Sequence, residues 1–72
     1  MTAAEKQILL RFGARVKQLR KKTGFTQQQL AEYASLEYKY IQRIEGRNPP
    51  SIGLLKLLQL AHALNTSPAT LL

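Results

Sequence analysis

Apolar residues along this chain recur three and four positions apart, and no stretch alternates with period two between hairpin dipeptides. The pattern predicts an all-α fold of five helices in a single domain, residues 1–72. In the first helix Ile8, Phe12, Val16 and Leu19 form one stripe, while Arg11, Arg15, Lys17, Lys21 and Lys22 point elsewhere. Thr2 is a suitable N-cap, Glu5 can close a capping box back onto it, and the helix is expected to run to about Lys22. Gly24 fits the left-handed residue that ends a helix cheaply. Gly13 is the odd residue, because a glycine inside a helix costs about 1 kcal/mol relative to alanine.

Thr26 and Gln29 repeat the capping-box pattern and predict a short second helix from Gln27 to about Ala34, with Leu30, Ala31 and Ala34 as its apolar edge. Ser35-Leu36 breaks it. A third helix starts at Tyr38, with Glu37 as cap or first-turn acid, buries Ile41 and Ile44, and stops at Gly46. Asn48-Pro49-Pro50 reads as a loop, since a residue before proline is pushed out of the α region. Ser51 is expected to cap a fourth helix over roughly Ile52–Leu64, whose inward face is Leu54, Leu57, Leu58, Ala61 and Leu64. Leu55 and Leu60 fall outside that stripe and are left for a second core side or another subunit. Ser67-Pro68 opens a last short helix that ends with Leu71-Leu72.

Gln27, Ala31, Ser35, Ile41 and Ile44 stand at positions one, five, nine, fifteen and eighteen of a helix-turn-helix stretch, whose core spans 27–45. Ala31 lies where two helices would cross, and a larger side chain there would push them apart; Ile41 and Ile44 would seat the third helix. With those two inward, Tyr38, Lys39, Gln42 and Arg43 are left on the outer face of the recognition helix, 38–45. That face would enter a major groove.

Charge agrees with this reading. Eleven lysines and arginines against four acids give +7, and Lys56 is the only such charge beyond Arg47. A basic face of this kind raises the local potential for a polyanion, although a solvated basic surface would also serve solubility alone. There is no cysteine and one histidine, His62, so neither a metal site nor any other cofactor is expected. The longest apolar run, Leu54–Ala63, falls short of the roughly 20 residues a membrane span needs. The first dozen residues read as an amphipathic helix rather than a secretion signal, and a cytoplasmic protein without a membrane or small-molecule partner is expected.

Thr26-Gln27-Gln28-Gln29-Leu30-Ala31-Glu32, then Ile41-x-x-Ile44-Glu45-Gly46 and the closing Ala61-x-Ala63-Leu64, resemble the Cro and phage-repressor, or Xre-like, helix-turn-helix regulators over residues 12–72. The resemblance implies a compact five-helix bundle of the lambda-repressor-like DNA-binding type. It also implies a homodimeric transcription regulator, such as a repressor, on a palindromic double-stranded DNA operator. By position, Tyr38, Lys39, Gln42 and Arg43 would contact bases, and Gln27, Gln28, Tyr40, Arg47 and Asn48 would contact phosphates, with Gln27 also bracing Tyr38. Arg20 and Glu45 would form a buried ion pair. Apart from the resemblance, the spare leucines Leu55 and Leu60, with Leu71 and Leu72, would meet the second subunit, unless Leu71-Leu72 simply finish the core.

Three features depart from the family pattern. Ser35 stands where glycine is usual, so some strain or an altered turn is expected there. The loop after Glu45 is shorter than usual, which bears on Arg47 and Asn48. Glu37 brings a negative charge close to DNA, where it would repel phosphate or accept from a cytosine amino group. Tyr40 is balanced between a core aromatic and a backbone contact, and Arg20 between a phosphate contact and the partner of Glu45. An antitoxin-type module that also binds a protein is the alternative function. A basic membrane-surface or RNA binder ranks below it, and an enzyme is weakest, because the acids are dispersed and no nucleophile stands beside a base.

Overall fold

A computed structural model describes all 72 residues. Its helices are α1 (Ala3–Thr23), α2 (Gln27–Ala34), α3 (Tyr38–Ile44), α4 (Leu54–Ala63) and α5 (Pro68–Leu71), with no strand. Both predicted capping boxes form. The Thr2 hydroxyl accepts from the Glu5 N–H while Glu5 accepts from the Thr2 N–H, and Thr26 and Gln29 do the same for α2. The bonds at Thr2 hold the Glu5 carboxyl below its ordinary pKa, the backbone N–H contributing most.

Three helices end in one geometry. Gly24, Ser35 and Asn65 adopt φ of 90°, 58° and 53°, and the residue after each donates its N–H to the carbonyl five residues back: Phe25 to Arg20, Leu36 to Ala31, Thr66 to Ala61. This left-handed closure satisfies carbonyls that a helix end otherwise leaves open. At Ser35, where strain or an altered turn was expected, the turn is left-handed and closes like the other two, with a non-glycine residue bearing its conformational cost.

The core gathers Phe12 and Val16 from α1, Leu30, Ala31 and Ala34 from α2, Ile41 and Ile44 from α3, Leu60, Ala61 and Leu64 from α4, and Leu71 from α5. The core differs from the sequence pattern at three places. Ile8 is 58% exposed, so the buried stripe of α1 begins at Phe12. The fourth helix starts two residues later than expected, at Leu54 after Gly53; Ser51 is not its cap. Its buried side is also rotated. Leu60 is wholly buried with Ala61 and Leu64, whereas Leu54 and Leu55 are both 72% exposed and Leu58 is 44% exposed.

Rotation of α4 bears directly on the subunit contact. Leu60 and Leu71 belong to the chain's own core and present no surface to another molecule; Leu55 and Leu72 remain exposed. Sequence spacing alone admits either stripe, because a helix this rich in leucine has two overlapping apolar arcs. Packing against α2 selects one, and the Gln59 amide joins in by donating to the Ala34 carbonyl at 3.2 Å.

Gly13, an apparent defect in α1, is a contact point. It is buried, and a β-carbon there would overlap the Ile44 carbonyl oxygen and lie 3.1 Å from the carbonyl carbon. Only a residue without a side chain lets the end of α3 come this close to α1.

Candidate nucleic-acid interface

The helix-turn-helix is fixed by two anchors. One is apolar: Leu30 and Ile41 are fully buried, as are Ala31, Ala34 and Ile44 to within a few per cent, so α2 and α3 share a continuous seam. The other is ionic. The Arg20 guanidinium donates from Nε to Glu45 Oε2 at 2.8 Å and from Nη2 to Oε1 at 2.9 Å. Its third arm donates to the Phe25 carbonyl at 2.8 Å, and Gln27 Nε2 donates to Glu45 Oε1 at 3.1 Å. The side chains of the pair are 10% and 2% exposed.

Every charged oxygen and nitrogen of this cluster thus has a partner, which offsets much of the cost of taking the pair out of water. The hydrogen bond from Arg20 to Glu45 raises the arginine pKa still further, so the guanidinium stays charged at any working pH. Arg20 is accordingly a structural residue joining α1 to the end of α3. Gln27 is drawn into the same cluster: its amide nitrogen bonds to Glu45 rather than bracing Tyr38.

Burial of Ile41 and Ile44 turns the opposite side of α3 outward. Tyr38, Lys39, Gln42 and Arg43 are all exposed, as are Gln28 of α2 and Arg47 and Asn48 in the loop after α3. They make a polar face with three cations among them, Lys39, Arg43 and Arg47. Glu37 precedes the helix without capping it through its side chain and is exposed on the same side.

Tyr40 differs from its neighbours. It is only partly exposed and packs against the core, and its hydroxyl is shielded from solvent with no hydrogen-bond partner in the protein. Burial raises its pKa, partly countered by Arg43. A shielded hydroxyl does not reach out to a phosphate, so the expected direct contact from Tyr40 is corrected to a packing role. Above its ring, 5.0 Å from the centroid, lies the Lys56 ammonium of α4. Lys56 is not among the residues the sequence marks as a site; its isolation as the only basic residue beyond Arg47 is the signal it carries.

The comparisons agree with this geometry. A family model described as a helix-turn-helix domain matches residues 11–72. The chain belongs to the Cro/Xre-type helix-turn-helix family. Like other members of that family, it is a DNA-binding transcription regulator. Among solved structures, the restriction-modification controller protein C.AhdI from Aeromonas hydrophila is 34% identical, with 89% of this chain and 96% of that one covered and a TM-score of 0.84. The wild-type restriction-modification controller protein C.Esp1396I is 28% identical, with 89% and 82% covered and a TM-score of 0.80. No curated protein sequence matches significantly. No helix of this family member is long and apolar enough to cross a membrane.

Proposed function

We propose that the chain acts as a sequence-specific, dimeric controller of transcription, of the kind its restriction-modification relatives are named for. The observation that carries this reading is the exposed face of α3, set on a helix-turn-helix whose inner side is closed by Ile41, Ile44 and the Arg20–Glu45 pair. Arg43 is the strongest candidate base reader, since a guanidinium can pair bidentately with guanine for about 1–3 kcal/mol of discrimination. Lys39 is a less directional donor, and Tyr38 and Gln42 complete the reading edge. Gln28, Arg47, Asn48 and the remaining amide hydrogen of Gln27 serve the sugar-phosphate backbone, which supplies salt-sensitive affinity without sequence information.

Dimerisation is supported by the leucines that α4 leaves outside the core. Leu54, Leu55 and Leu58 lie within one arc of the helix and are largely exposed, an arrangement that a chain of this size rarely leaves uncovered. A two-fold axis beside this arc would place two α3 helices about one DNA turn apart, roughly 34 Å.

Selection from a random duplex library followed by mobility shift tests the proposal. An inverted repeat is expected, and Arg43→Ala is expected to relax preference at a defined position in each half-site. Leu55→Glu is expected to yield a monomer by sedimentation that binds the operator at least tenfold more weakly. Equal binding to all duplexes at every salt concentration would refute the specific-regulator reading.

A further inference from the structure

Lys56 sits on α4, outside the helix-turn-helix, yet it lines a cavity of about 330 Å³ together with Leu36, Glu37, Lys39, Tyr40 and Arg43. Three cations therefore converge on one hollow. None is in an ion pair, since the chain's salt bridge is the distant Arg20–Glu45. Like charges gathered in this way repel one another unless an anion enters between them. Glu37, the lone acid in the lining, forms no ion pair with any of them and leaves the cations in excess.

With about 100° per residue, Lys56 projects well away from the arc of Leu54, Leu55 and Leu58 and toward the recognition helix. The aromatic face of Tyr40 holds its ammonium 5.0 Å from the ring centroid, an attraction that restricts an otherwise flexible side chain. No protein partner engages the Tyr40 hydroxyl, so the ring is what this residue offers the site.

We infer that the hollow between α3 and α4 seats one phosphate of the DNA backbone, with Lys56 as its principal contact and Tyr40 as the residue that positions Lys56. This deepens the proposed function and rests on it. Arg43 and Lys39 stand on the other side of the same hollow, so a phosphate held by Lys56 would fix the depth and angle at which their side chains enter the groove. The shared ligand chemistry is a phosphodiester, read without regard to sequence.

The test is the salt dependence of operator binding by the full chain. For Lys56→Gln the slope of log K against log salt should fall by about 0.9, the value of one phosphate contact. As salt rises from about 50 to about 200 mM, the advantage of wild type over the variant should accordingly shrink about 3.5-fold. Binding to all duplexes should weaken alike, with the preferred sequence unchanged. Tyr40→Leu should lower the slope in the same direction, and Tyr40→Phe, which retains the ring, should restore it.

Lys56 is exposed, so Lys56→Gln should melt as wild type does. A wild-type slope for Lys56→Gln would overturn the inference while leaving the regulator reading intact. A change of preferred sequence would overturn it too, since it would make Lys56 a base reader. Absence of salt-dependent duplex binding by the wild-type chain would refute the regulator reading, and this inference with it.

Discussion

Replacement of Gly13 by alanine sets helix propensity against tertiary packing. In an isolated helix Gly13→Ala should stabilise α1 by about 1 kcal/mol. In the folded protein the new methyl group would overlap the Ile44 carbonyl oxygen, with the carbonyl carbon 3.1 Å away and Glu45 Cα at 3.6 Å. Ordinary carbon contacts are about 3.5–4.0 Å, and the obstacle is backbone, which no rotamer change can clear. The end of α3 must therefore back away from α1, and Glu45, the next residue, carries its half of the bridge to Arg20 with it. Overpacking of this kind costs about 1–3 kcal/mol, and a rigid obstacle places the cost near the upper end. Subtracting the propensity gain of about 1 kcal/mol leaves a net loss of about 2 kcal/mol. For a domain of this length that corresponds to a fall in Tm of roughly 8–16 °C. Urea and thermal unfolding followed by circular dichroism give both quantities. A Gly13→Ala protein as stable as wild type, or more stable, would show that α1 and α3 are not in the close contact described.

Removal of one partner from the Arg20–Glu45 pair leaves a buried charge alone, so Arg20→Ala is expected to cost about 3–5 kcal/mol in urea unfolding. A loss below about 1 kcal/mol would mean that the pair is solvated. Ser35→Gly removes the penalty of a side chain at φ 58° and is expected to stabilise by up to about 1 kcal/mol, whereas Ser35→Val should destabilise; a calorimetric order of Val above Gly would contradict the left-handed turn. Glu5 has a folded-state pKa below its usual 4.5, so its capping contribution is present above that value and is lost as pH falls through the folded pKa. Side-chain titration by NMR should find this lowered pKa, and Thr2→Ala, which removes the hydroxyl but keeps the backbone N–H, should undo only the smaller part of the lowering.

Local features were largely legible in the residue order. Capping boxes at Thr2 and Thr26, the stop at Gly24 and the proline-led start of α5 depend on residues within a few positions of one another, so sequence and structure agree on them. The outward face of α3 was also legible, because Ile41 and Ile44 could be recognised as inward and a helix has only one opposite side. The Arg20–Glu45 pair was reached through family resemblance alone; its 25-residue separation leaves no local signal.

Whatever depended on rotation of one helix against another was decided by the tertiary structure. In α4 every register offers leucines to the core, so periodicity could not choose Leu60 over Leu54 and Leu58. That rotation also puts Leu60 in the core and turns Lys56 toward the recognition helix, while the docking of α5 buries Leu71. Gly13 carries the same lesson: propensity depends on its own helix and marks it as a fault, but its role is set by a carbonyl 31 residues further along the chain, which only the packing of α3 brings within reach.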